Sequence, residues 1–198
     1  MPTKEEFHTF LRTRRSIRRF KPDPVPASVI EEILCTAAFA PSAHNRQPWR
    51  FAVVTDSNAK TRLGEAVTSA MQFDMLAQGA NETDIEKRVT TSLRRMDEAP
   101  VVIVLCRDRN DVRADTREEA AMGVQSTALA GLQLLLAAHA EGLGANWICW
   151  ALYAQHATTT ALDLPEDWEP QALYFLGYPN ETPIAKNMKD LKSLVITL

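Results

Sequence analysis

Glycine and cysteine are scarce in this 198-residue chain, with 7 and 3 copies, and there is no surplus of positive charge. The cysteines, Cys35, Cys106 and Cys149, are odd in number and widely spaced. That excludes a disulfide framework and a paired-cysteine zinc site, and predicts a reducing, intracellular setting. A net charge of -3 argues against a nucleic-acid-binding surface. The N-terminal stretch "MPTKEEFHTF" lacks the apolar core of a signal peptide. The longest apolar run, "ALAGLQLLLAAHA" from Ala128, is short for a bilayer span. The expectation is a cytoplasmic protein with neither membrane nor nucleic acid as partner.

Familiar catalytic signatures are missing too. The chain has no G-x-G-x-x-G, no Walker lysine loop, no H-E-x-x-H and no G-x-S-x-G. His8, His44, His139 and His156 do not fall with acids at metal-ligand spacing. Neither a metal site nor a catalytic side chain is predicted. An enzyme built this way takes its reactivity from a bound cofactor.

What is present suffices for a core: 45% of residues are hydrophobic and 24% charged. No repeat or linker divides the chain, so residues 1–198 are read as one domain. Phe7, Phe10 and Leu11 share a face of a short helix. "KPDPVP" breaks the chain, and Ser28 with Glu31 has the spacing of a capping box opening a second helix. "RFAVVT" reads as a strand. Residues 58–97 are helical in pattern, with Thr83 and Glu86 as another capping box; 68–98 is read as a helical excursion. "PVVIVLC" is a strand buried on both faces. A long helix runs from Thr116 to Glu141 and is closed by Gly142. "NWICWA" and "ALYFLGYP" are further strands, and the tail "KNMKDLKSLVITL" extends beyond. Without regular strand–helix alternation, the fold class is α+β.

Two stretches concentrate hydrogen-bonding chemistry. "RTRRSIRRF" sets Arg12, Arg14, Arg15, Arg18 and Arg19 around Ser16. Guanidinium forks fit phosphate oxygens by paired charge-assisted bonds, so this reads as a phosphate cradle or as a solvated basic turn. "APSAHNRQPW" places Ser42, His44, Asn45, Arg46 and Gln47 between Pro41 and Pro48. Amide side chains offer donor and acceptor together, as the edge of a heterocycle requires. A hydrated surface loop would look the same. In "EGLGANWICW", Gly144 permits close backbone approach to a flat ligand. Trp147 and Trp150 read as core or interface aromatics, and Cys149 as an inert thiol.

In combination, "RRSIRRF", "APSAHNRQPWRF", "EGLGANWI" and "LGYP", in this order, resemble the nitroreductase family of flavoproteins. "ALDLPEDWEPQALYFLGYP" is similar, more narrowly, to the C-terminal FMN-dependent reductase domain of the bifunctional ligase of deazaflavin coenzyme (F-420) biosynthesis. The resemblance implies a central mixed β-sheet flanked by helices, in a homodimer with C-terminal tail exchange and FMN at the interface. It implies that Arg14, Arg15, Ser16 and Arg18 hold the phosphate and ribityl end of FMN. Pro41, Ser42, Ala43 and Asn45 would come from the other subunit. Trp147, Ile148 and Cys149 would face the flavin ring, and Lys186 or Lys189 would add a late basic contact. The activity implied is ping-pong hydride transfer from NADH or NADPH through FMN to a small organic acceptor, such as a nitroaromatic or quinone. Reduction of a dehydro precursor of the deazaflavin coenzyme and non-catalytic flavin binding are the alternatives.

Overall fold

The structure, a computed structural model, describes residues 2–183 and 185–198. Its organising element is β2 (Val101–Asp108), every residue of which is buried. Side chains alternate across a strand, so this continuous apolar run feeds two cores at once. Val101, Ile103 and Leu105 face one core, whereas Val102, Val104 and Cys106 face the other. β1 (Trp49–Val54) and β4 (Trp168–Gly177) flank β2, and β3 (Gly144–Ile148) pairs with β4, giving the order β1-β2-β4-β3.

All pairings between these strands are antiparallel. The parallel component of the expected mixed sheet reduces to one bridge, Ser16 to Ala145. Short extended pieces of chain, not βαβ units, cover the sheet edge here, so no parallel strand is required. β4 carries a register shift opposite Leu105 and Cys106. Pro170 sits there, where a missing ladder donor is tolerated.

Helices cover both faces. On one lie α2 (Ala27–Ala37) and α5 (Arg117–Ala140), whose Ile33 and Leu134 are fully buried. On the other lies a hairpin of α3 (Ser57–Ala77) and α4 (Glu82–Glu98), contributing Leu63, Val67 and Met96. The short helices α6 (Trp150–Tyr153) and α7 (Gln155–Ala161) complete that face. α3 runs unbroken from Ser57 through residue 68, so the start expected for the excursion falls inside a helix.

Some local signals act as expected and others lose to competitors. Thr116 caps α5 through the Glu119 N–H, and Gly142 leaves the helix at φ 72°. α1 (Lys4–Thr13) opens with a reciprocal box between Thr3 and Glu6. The Ser28–Glu31 box does not form; Pro26 is the N-cap of α2, its fixed φ favouring an earlier entry. At α4, Asn81 replaces Thr83 as the cap and accepts the Asp84 N–H. Strand "NWICWA" stops at Ile148, and Cys149 already caps α6. α5 has 24 residues and is long and apolar enough to cross a membrane by composition. Nine of its residues are nevertheless buried in the fold, Gly131 to within a Cβ of Tyr174.

Burial inside the sheet pushes the Cys106 thiol from its ordinary 9.0 to about 12, with the Glu169 charge adding to the effect. A group that ionises more easily when unfolded stabilises the fold below pH 9.0 and loses that contribution as pH rises through the window to about 12. Unfolding free energies from urea titrations are expected to fall as pH rises above 9.0, at up to about 1.4 kcal/mol per pH unit from this thiol. Cys106→Ala should flatten that part of the slope; an identical slope in the variant would refute it.

Candidate functional site

The arginine turn does not hang free. After α1, residues 14–20 run in extended form along the outer edge of β3. The Ile17 N–H donates to the Ala145 carbonyl at 3.0 Å, and Ser16 bridges Ala145. Further on, the Lys21 N–H donates to Tyr178 O at 2.9 Å and the Asn180 N–H to Arg19 O at 3.0 Å. The segment is thus clamped between β3 and the chain leaving β4. Ile17 and Phe20 point inward and are buried, so Arg18 and Arg19 are turned out.

This clamp brings together residues from both ends of the chain. A cleft of about 350 Å³ is lined by Arg14, Arg15, Ser16, Arg18, Glu181 and Lys186, among others. Lys189 does not line it. Arg15 spends one guanidinium nitrogen on the carbonyls of Arg12 and Arg14, at 2.6 and 2.9 Å, which stiffens the turn. Arg14 is left crowded. Burial, and then the neighbouring Arg15 charge, lower its guanidinium below the ordinary range. The Glu181 carboxylate accepts the backbone N–H of Arg18, marking that N–H as an anion-seeking donor. No guanidinium of the cleft forms an ion pair among the described residues. With Arg14, Arg15 and Ser16 half-buried, Arg18 and Lys186 exposed, and Glu181 as the one carboxylate among the lining residues, this mostly cationic donor set fits a phosphate group.

Arg18 also lines a second, larger cavity of about 900 Å³. Its floor is β3, through Asn146, Trp147 and Ile148, and its walls come from α3, α4 and α6. Trp147 is 57% exposed and forms open surface; Trp150 packs edge-on against Phe175, with centroids 6.1 Å apart. Cys149 is half-buried and does not line the cavity. Asn146 was not singled out in the sequence, yet it is buried at the cavity floor. A polar residue in an otherwise apolar strand was the available signal. At Gly144 a Cβ would lie 2.7 Å from Ile17, so the arginine segment approaches the backbone closely there.

The polar loop is elsewhere. It enters β1 at the opposite edge of the sheet, across β2 and β4 from β3. The Ala43 N–H donates to Ser126 Oγ on α5 at 3.1 Å, whereas Thr13, beside the arginine turn, meets His139 Nε2 near the other end of α5 at 3.1 Å. Those two helix positions, Ser126 and His139, lie about 20 Å apart at 1.5 Å per residue. Within one chain, Pro41, Ser42, Ala43 and Asn45 do not reach the cleft or cavity. Inside the loop, Ser42 Oγ accepts the Gln47 N–H at 3.0 Å, and Asn45 Oδ1 accepts Gln47 Nε2 at 3.2 Å. His44, Asn45 and Gln47 all have φ near +55°. Non-glycine residues held there are strained, a condition that concentrates at functional sites.

Comparison with known proteins decides the family. The profile of the nitroreductase family matches residues 11–178. The chain belongs to the nitroreductase family. This nitroreductase-family chain is 30% identical over 171 residues to the 5,6-dimethylbenzimidazole synthase of Rhodospirillum rubrum, covering 85% of this chain and 79% of that one. It is 31% identical over 197 residues to the iodotyrosine deiodinase of Haliscomenobacter hydrossis, covering 96% and 88%. Its fold is similar to that of an FMN complex from Desulfovibrio desulfuricans, with a TM-score of 0.76, 24% identity and coverage of 99% and 98%. Family membership thus spans distinct activities, and the choice among them falls to the cavity.

Proposed function

We propose that the chain is an FMN-dependent oxidoreductase that takes hydride from NADH or NADPH and passes it to a small organic acceptor. The observation that carries this reading is Arg18, which lines both the cationic cleft and the aromatic-walled cavity. A phosphate in the first would then lie beside a flat ring system in the second. FMN, when bound, supplies the two-electron hydride chemistry that no side chain here offers.

Arg14, Ser16, Arg18 and Lys186 would hold the phosphate end, with Arg15 stiffening the turn and Lys189 outside it. Asn146 would offer its amide to the ring edge, and the backbone of Trp147 and Ile148 would face the ring, with Cys149 outside the cavity lining. Reductant and acceptor would use the same cavity in turn, which requires ping-pong kinetics.

The working unit in this reading is a homodimer. α5 carries an outward stripe of Val124, Leu129 and Leu132, exposed by 41%, 43% and 50%. Every residue described from 185 to 198 is exposed, including Met188, Leu191 and Ile196. Exposed apolar side chains on a core helix and along the tail suit an interface. Two-fold pairing along α5 would bring the strained loop of one protomer, with Pro41, Ser42, Ala43 and Asn45, to the other's cavity. Tail exchange would cover the apolar tail residues.

Anaerobic titration with NADH and NADPH, followed by initial rates with a nitroaromatic or quinone, tests this. The flavin band should bleach with one of the nicotinamides, and double-reciprocal plots should be parallel. A bound flavin that resists both donors would instead make the chain a flavin carrier. The narrower reading, reduction of a dehydro precursor of the deazaflavin coenzyme, rests on "ALDLPEDWEPQALYFLGYP"; turnover of that precursor in preference to a nitroaromatic would select it.

A further inference from the structure

One wall of the larger cavity carries charge that the phosphate cleft does not use. Lys87, Arg88 and Arg95 of α4 all line it. Arg88 and Arg95 are two helical turns apart on one face, about 10 Å along the axis. Neither they nor Lys87 form an ion pair among the described residues, whereas adjacent Arg94 leaves the cavity and pairs with Glu98 at 3.7 Å. Two carboxylates line it, Asp74 on α3 and Asp84, which accepts Asn81 Nδ2 at 2.6 Å, against four cations, Arg18, Lys87, Arg88 and Arg95. The cations therefore outnumber the acids. Burial and then the charges of Arg18, Arg94 and Arg88 lower the Arg95 guanidinium against the opposing charge of Glu181, the mark of cations crowded around a shared space.

Facing this wall, Trp147 and Tyr153 present aromatic surface, 57% and 77% exposed, although both line the cavity. Rings shown to a cavity bind other rings, and guanidinium forks beside them bind carboxylate or phosphate oxygens. We propose that the cavity selects planar aromatic molecules that carry an anionic group, the ring against Trp147 and Tyr153 and the anion on Arg88 and Arg95. The proposal deepens the oxidoreductase reading and rests on it for the reaction, but not for the binding. The anion has two possible carriers, a carboxylated acceptor or the 2′-phosphate of the reductant.

The test compares the wild type with Arg88→Gln and Arg95→Gln. The first arm is kcat/KM for 4-nitrobenzoate against nitrobenzene, and the second is NADPH against NADH. Loss of one charged hydrogen-bonding partner should lower the charged-to-neutral ratio about tenfold in one arm, and that arm identifies the carrier. Unchanged ratios in both arms overturn the proposal. Flavin content and the affinity for benzoate against benzamide, read by quenching of tryptophan fluorescence, accompany each variant. Loss of flavin from Arg88→Gln or Arg95→Gln overturns the proposal by assigning that cation to the cofactor, and leaves the oxidoreductase reading standing. A wild type without flavin sinks the oxidoreductase reading, and the benzoate preference then decides the binding proposal alone.

Discussion

Arg18→Ala is expected to lose most of its FMN on purification, with reconstitution weakened by about 30- to 100-fold. Arg18 is exposed on a segment whose inward neighbours Ile17 and Phe20 are buried, so its removal leaves the fold intact. What disappears is a guanidinium that lines cleft and cavity together and forms no ion pair among the described residues, Glu181 being bonded to the Arg18 N–H. Charge-assisted bonds of this kind contribute about 2–3 kcal/mol each. Arg18→Lys should fall between, since an ammonium keeps the charge but not the fork. The readouts are flavin absorbance per chain and FMN fluorescence quenching on titration, with the melting temperature of the flavin-free protein as control. Full flavin occupancy in Arg18→Ala would refute the cradle.

Gly144→Ala should do as much damage from a position that touches no ligand. The new methyl would sit 2.7 Å from Ile17 Cβ and Cγ2 and 2.8 Å from Cγ1. Ile17 has nowhere to go: it is buried, and its N–H is tied to Ala145 O at 3.0 Å. Overpacking of this kind costs about 1–3 kcal/mol. For a chain of this size that is a fall in melting temperature of roughly 3–10 °C. Because the strain is relieved by lifting residues 14–18 off β3, flavin affinity should drop with it. Ile17→Ala in the same background removes the γ carbons and should recover part of both losses, a coupling that independent sites do not show. A Gly144→Ala protein with normal stability and flavin content would mean that the arginine segment is not held by this contact.

The elements legible in the sequence are those that one local signal determines. "PVVIVLC" could only be a strand buried on both faces, and it became the centre of the sheet. Thr116 and Gly142 bracketed α5 because capping hydroxyl and left-handed glycine act within a few residues. Elsewhere signals competed at short range: Pro26 over Ser28, Asn81 over Thr83. "NWICWA" shows a different limit. Its strand ends at Ile148, opposite Leu173, although β4 runs on to Trp168, because the chain turns at Cys149 into α6, a change of direction the hexapeptide does not announce.

The sequence offers candidate site residues but not their arrangement. That Arg14, Ser16 and Arg18 meet Lys186 depends on pairing across most of the chain, through β3 and Tyr178. No periodicity reports such closure. Gly144 was correctly marked for close approach, yet the approaching group was Ile17. Asn146 escaped notice between two more conspicuous neighbours. The left-handed backbone of His44, Asn45 and Gln47 is invisible in sequence because none of them is glycine.

The central claim is a flavin held between paired protomers by the arginine turn of each. Native mass spectrometry of the purified protein, with its visible spectrum, tests it most directly. The account predicts a yellow dimer carrying one FMN per chain. A colourless monomer that takes up no added FMN would contradict it.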